Sequence, residues 1–160
     1  MAKHTDSKTN AMRVVEAAGI NHTTHLYDAT GEMTGVDIAH LLGQDPDQVF
    51  KTLVTQGKSG EYYVFVIPVS QALDLKKAAQ AVGEKAVQMI KSRELLPLTG
   101  YVHGGCSPIG MKKLFVTTLD ETAQLWDTIC FSGGRIGSQI QCSPDDLASL
   151  IPLTFADLTV

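Results

Sequence analysis

Val49-Phe50-Lys51-Thr52-Leu53-Val54-Thr55-Gln56, then Gly57-Lys58-Ser59-Gly60, then Glu61-Tyr62-Tyr63-Val64-Phe65-Val66-Ile67-Pro68-Val69 is the stretch that decides the fold. Both flanks are strand-like in composition, the second rich in aromatic and β-branched residues. The four residues between them are turn chemistry, so the segment predicts a β-hairpin. Upstream, Ala11, Val14, Val15 and Ala18 share one helical face, which predicts a helix from about Ser7 to Ala18, stopped by Gly19. A strand is expected over Asn21 to Asp28, with Tyr27 near its end. Thr34-Gly35-Val36-Asp37 matches a capping box ahead of Ile38, Ala39, Leu41 and Leu42, and Gly43 and Pro46 close that second helix.

Downstream of the hairpin, Asp74 caps a helix whose apolar face is Leu75, Ala78, Ala79 and Val82. A short strand over Ala86 to Ile90 follows, then a short helix from Ser92 to Leu96 that Pro97 limits. Gly100 to Gly110 is the glycine-richest stretch. Strands are expected over Leu114 to Leu119, Thr128 to Ser132 and Ile140 to Cys142. Ser143-Pro144-Asp145-Asp146 combines a cap, a proline at the first helical position and an acid three residues after the cap, which predicts a last helix through Ile151. Strands outnumber what a βαβ repeat would supply. The expected class is α+β, a curved mixed sheet or partial barrel with helices packed outside it.

The 160 residues fit one domain, 1–160, with a real core. No apolar run reaches the length of a membrane span, and the polar Met1 to Asn10 lacks the apolar stretch of a secretory signal, so a cytoplasmic home is expected. Cys106, Cys130 and Cys142 are an odd set without Cys-x-x-Cys spacing, neither a disulfide framework nor a zinc site. No metal and no cofactor is expected. The net charge of −4 is wrong for a protein that grips long nucleic acid. Any such partner is held over a small area or delivered by another protein.

Lys51 is the odd residue of the hairpin. It shares a strand face with Val49, Leu53 and Thr55, while Phe50, Thr52 and Val54 take the other. An ammonium among apolar neighbours needs water, a carboxylate or a ligand. Taken alone, the plainer reading is a lysine that snorkels to solvent. Gly104-Gly105-Cys106-Ser107-Pro108 and Ser132-Gly133-Gly134-Arg135 are loops whose backbone N–H groups can hold a carbonyl oxygen or anion, or simply tight turns. Neither has a Walker ending or the dinucleotide fingerprint. His103 beside Cys106 invites a thiol-nucleophile reading, though no third orienting residue announces itself. His25 and Tyr27 share a predicted strand face.

Val49-Phe50-Lys51-Thr52-Leu53, Tyr62 to Pro68, Leu75-Lys76-Lys77-Ala78-Ala79, Thr99 to Gly110 and Ser132-Gly133-Gly134, in this order, resemble the YbaK/EbsC family of aminoacyl-tRNA deacylases. That family is similar to the editing domain of bacterial prolyl-tRNA synthetases. The resemblance runs from about Ala11 to Leu158. It implies hydrolysis (hydrolase or lyase chemistry) of the ester joining a wrong amino acid to tRNA, typically cysteine on the proline tRNA. Alanine or another small residue is the alternative, and a catalytically inactive module binding the tRNA end or a nucleotide is a further one.

By the same resemblance Lys51 matches the essential lysine and Tyr27 a pocket tyrosine. Gly104, Gly105, Cys106, Ser107 and Pro108 match the substrate loop, and Gly133 and Gly134 the second glycine loop. N–H groups near Gly105 and Ser107 are the expected oxyanion donors, and in cysteine-removing members the substrate thiol attacks its own ester. The implied partners are the acceptor end of mischarged tRNA and prolyl-tRNA synthetase, with no membrane; monomer and dimer both stay open. Two departures stand out: Ile136 precedes Gly137 where the family commonly has arginine, and Gln139 and Gln141 stand in a strand that often carries an acid.

Overall fold

The computed structural model describes residues 7–160. In chain order the elements are α1 (Asn10–Ala17), β1 (Thr23–Leu26), α2 (Gly35–Leu41), β2 (Phe50–Gly57), β3 (Tyr62–Pro68), α3 (Leu75–Val82), β4 (Val87–Met89), α4 (Ser92–Thr99), β5 (Val116–Asp120), a 3-10 turn (Glu121–Leu125), β6 (Ile129–Ser132), β7 (Ser138–Cys142), α5 (Pro144–Leu150) and β8 (Leu153–Ala156). The α+β reading holds. The strands form two sheets, β1-β7-β6 and β4-β2-β3-β5-β8, with no closed barrel among the described residues.

The hairpin is the centre of the larger sheet. β2 and β3 pair antiparallel from Phe50↔Pro68 to Gln56↔Tyr62, and the turn is closed by Gly57 N–H donating to Glu61 O at 2.8 Å. β3 is buried on both faces, as its unbroken apolar run requires. Val64 and Val66 enter the main core with Phe131, Ile140, Leu119 and Val15. Phe65 and Ile67 enter a second cluster beneath Ala78 and Ala79 of α3. The sheet is therefore covered by the smaller sheet, α1 and α5 on one face and by α3 on the other. β3 pairs parallel with β5, and β5 with β8.

Local capping explains most helix starts. Thr34 and Asp37 form the expected capping box, at 2.9 and 3.1 Å. Asp74 accepts from the N–H groups of Lys76 and Lys77, and Ser143 accepts from that of Asp146. Four expectations need correction. The first helix begins at Asn10, not Ser7, because Thr9 Oγ1 caps it by accepting from Met12 N–H at 3.1 Å. The strand expected over Asn21 to Asp28 shrinks to Thr23–Leu26, which is all that finds a partner in β7.

Pro97 does not limit α4, which runs on to Thr99. The ring's missing N–H would have bonded the carbonyl of Arg93. Both residues are exposed, so water can take that carbonyl. β8, which was not anticipated, completes the large sheet. Among the described residues no helix is long and apolar enough to cross a membrane.

Candidate active site

The site grows out of an interruption in β2. Near its end, Thr55 to Gly57 pair with β4, and Ile90 N–H donates to Val54 O at 3.3 Å. At its start, Val49 bridges Cys130 of β6. Between these points, Lys51 to Leu53 have β3 on one side only among the described residues. Strand residues offer main-chain groups to both sides in turn, so this stretch leaves an unpaired edge. A cavity of about 370 Å³ opens against it.

α2 supplies one wall of the cavity through Met33, just ahead of it, and Ile38; α4 supplies another through Lys91, Ser92 and Leu95. The glycine-rich loop closes it with His103, Gly104 and Cys106, and the smaller sheet with Phe131, Ser132, Ser138 and Gln139. α2 sits hard on the hairpin: a Cβ on Gly35 would lie 2.4 Å from Cγ1 of Val69.

Among the residues singled out from sequence, Tyr27, Lys51, Gly104 and Cys106 converge on this cavity. Gly105, Ser107 and Pro108 are buried behind the wall rather than in it. Gly133 and Gly134 also stand back, and their N–H groups are spent inside their own loop. Gly133 donates to Ser138 O at 3.0 Å and Gly134 to Ser132 Oγ at 3.1 Å. The loops touch through Gly105, whose added Cβ would meet the backbone of Arg135 and Ile136.

Lys51 is half-buried, and burial lowers its pKa from the usual lysine value. Among the described residues it has neither a carboxylate nor a hydrogen-bond partner. No Asp or Glu among the described residues lines the cavity, so the ammonium faces a space without a counter-charge. Thr52 Oγ1, on the same wall, is also buried without a partner.

The glycine-rich loop needs one correction. Gly105 N–H is committed to a turn, donating to Val102 O at 2.9 Å, and so is not an oxyanion donor. Gly104, at φ +86°, holds the left-handed position that this turn requires. The N–H groups of Gly104, Cys106 and Ser107 have no protein partner among the described residues. Of these three residues, Gly104 and Cys106 line the cavity. Behind the loop, the buried Tyr101 hydroxyl donates to Ile109 O at 2.7 Å and holds the chain after Pro108 in place.

Cys106 does not have the features of a nucleophile. Burial pushes its thiol up to about 12, against a hydrogen bond to Thr99 that works the other way, so the reactive thiolate is suppressed. His25 is occupied elsewhere, with Nε2 2.7 Å from Gln141 Oε1. Gln139 is buried on the cavity wall and forms a reciprocal amide pair with Gln44, at 2.7 and 3.0 Å. Among the described residues, no three His, Cys, Asp or Glu side chains gather as a metal site would need.

Sequence reasoning missed Met33, Ile38, Lys91 and Leu95 as lining residues. Ile38 and Leu95 carried ordinary helix signals and Met33 and Lys91 none, and only the tertiary packing brings all four to the cavity that holds Lys51.

The aminoacyl-tRNA editing domain family matches residues 30–150. EbsC of Enterococcus faecalis, provisionally named a Cys-tRNA(Pro)/Cys-tRNA(Cys) deacylase, is 43% identical over 158 residues, which cover 98% of this chain and 96% of EbsC. Proline–tRNA ligase of Pelobacter propionicus is 30% identical over 93 residues, 58% of this chain and 16% of that enzyme. A solved structure, provisionally described as a trans-editing enzyme for prolyl-tRNA synthetase, superposes with a TM-score of 0.83 at 26% identity, over 96% of this chain and 99% of that one. With a cavity of this build and these matches, the chain belongs to the aminoacyl-tRNA editing domain family, in its YbaK/EbsC type.

Proposed function

We propose that this protein is a trans-editing deacylase that cleaves the ester of mischarged tRNA, with cysteine on the proline tRNA as its substrate. The observation that carries the reading is the unpartnered ammonium of Lys51 in a cavity whose described lining has no carboxylate and includes Gly104 and Cys106. An aminoacyl ester is already activated, so modest help suffices. Lys51 supplies charge to the ester carbonyl or to the terminal nucleotide's phosphate. The N–H groups of Gly104 and Cys106 receive the oxygen as it gains negative charge, a contribution of the oxyanion-hole kind.

The nucleophile is the substrate's own thiol. Its sulfur bonds the carbonyl carbon, the ester C–O bond breaks, and the thiol proton ends on the ribose oxygen. Water then opens the resulting cyclic thioester to free cysteine. The whole chain acts as one editing unit on the acceptor end. The net charge of −4 supports delivery of the rest of the tRNA by prolyl-tRNA synthetase.

The Gln44–Gln139 pair favours a second reading. It places a neutral, saturated amide on the wall, in the strand where the family resemblance leads one to expect an acid, and so supports alanine as substrate or binding without turnover. The test is release of amino acid from Cys-tRNA(Pro) and Ala-tRNA(Pro). Turnover of the cysteinyl ester is expected, and turnover of neither by folded protein overturns the deacylase reading. Lys51→Ala should cut kcat/KM by about 100-fold, the scale of losing one preorganised electrostatic group. Full activity in that variant would remove Lys51 from the chemistry.

A further inference from the structure

We propose that His103 is the proton shuttle of this ester cleavage, a role that rests on the deacylase reading above. The titratable side chains lining the cavity among the described residues are Tyr27 after β1, Lys51 of β2, Lys91 ahead of α4, and His103 and Cys106 of the loop. Arg135 of the second glycine loop has its backbone against Gly105, but it does not line the cavity, and its guanidinium donates to Ser7 O. Among the described residues no Asp or Glu lines the cavity beside His103. Lys51 already serves as the charge that meets the ester, and a phenol holds its own proton at neutral pH. The Cys106 thiol is pushed up to about 12 by burial. Histidine is the side chain that both takes and gives a proton between pH 5 and 8.

Position supports the role. His103 is the second residue of the Val102–Gly105 turn, fixed by the Gly105 N–H to Val102 O hydrogen bond at 2.9 Å. It directly precedes Gly104, one of the two lining residues whose N–H is free to meet the ester oxygen. Its ring is exposed and makes no hydrogen bond among the described residues, so both nitrogens are open to substrate and solvent. The histidines of the small sheet's side differ in this respect. His22 Nδ1 lies 2.7 Å from Ile20 O, and His25 is held by Gln141.

The chemistry needs such a group. A ring nitrogen takes the proton from the attacking thiol, or from water when the amino acid has no thiol. The nucleophile bonds the carbonyl carbon and the ester C–O bond breaks. The imidazolium then returns the proton to the departing ribose oxygen, leaving His103 neutral and the charges balanced.

The experiment measures kcat and KM for deacylation of Cys-tRNA(Pro) by the wild type, His103→Ala and His103→Gln, with and without added imidazole. His103→Ala should lose about 100-fold in kcat, the lower end of general acid–base effects, with KM unchanged. Imidazole should restore part of that rate. His103→Gln fills the position but carries no proton, and should stay slow with imidazole present. A folded variant within twofold of wild-type kcat overturns the proposal. So does a loss that lies wholly in KM, or one that imidazole leaves untouched. An active wild type with an unaffected variant refutes the shuttle alone, whereas an inactive wild type refutes the deacylase reading and the shuttle together.

Discussion

Gly105 and Arg135 meet backbone to backbone: a Cβ built on Gly105 would lie 2.9 Å from Arg135 Cα and 2.9 Å from Ile136 N. Neither neighbour is the free end of a side chain, so Gly105→Ala has to push the two glycine loops apart. The expected cost is about 1–3 kcal/mol of stability, the scale of overpacking a close contact. Activity should fall with it, because Gly104 and Cys106 move with the loop. Urea unfolding and kcat/KM on the same preparation check both. An unchanged midpoint together with unchanged activity would show that the contact gives freely.

Gly35 and Val69 set the opposite wall. An added Cβ on Gly35 would meet Cγ1 of Val69 at 2.4 Å and its Cβ at 2.7 Å, and a β-branched side chain has little room to swing aside. Gly35→Ala should lift the start of α2, displace Met33 and Ile38, and raise KM. Val69→Ala in the same chain should relieve the clash. A double-mutant cycle is expected to give a favourable coupling of about 1 kcal/mol, within the range for residues in contact. Strict additivity would place the effect elsewhere.

Burial raises the thiols of Cys106, Cys130 and Cys142 from 9.0 to about 12. In the unfolded chain they ionise first, so above pH 9 the unfolded state binds fewer protons than the folded one. Stability is therefore fully present below pH 9 and is lost as pH rises toward 12. Chemical denaturation between pH 8 and 11 should show the denaturation midpoint falling across this window. A thiol reagent at pH 8 should label the folded protein far more slowly than the denatured one. Three thiols reacting at the denatured rate in the folded protein would contradict the burial.

The fold was legible where its causes are local. Thr34, Asp74 and Ser143 announce helices through hydrogen bonds that close within three residues. The hairpin is written in its own turn. β8 was invisible because four residues over Leu153–Ala156 become a strand only through parallel pairing with β5, a contact that nothing local encodes. Pro97 misled because Arg93, whose carbonyl it leaves without a donor, is exposed, and water can take that carbonyl.

The candidate site divides in the same way. Lys51 could be seen as a misplaced charge, and Gly104 as a turn. That Gly105 had already spent its N–H, and that Ile38 and Leu95 face the same space, depends on how distant elements dock.

The missing neighbour along Lys51–Leu53 has a consequence for the protein's behaviour in a crowded solution. A bare strand edge is an invitation for another chain to add a strand and begin an aggregate. Here the bare edge lies inside a cavity whose walls include α2, α4 and the glycine loop, and covering an edge in this way is one means by which proteins keep other strands off it. The arrangement that gives the cavity its main-chain hydrogen-bonding groups thus also screens them from self-association.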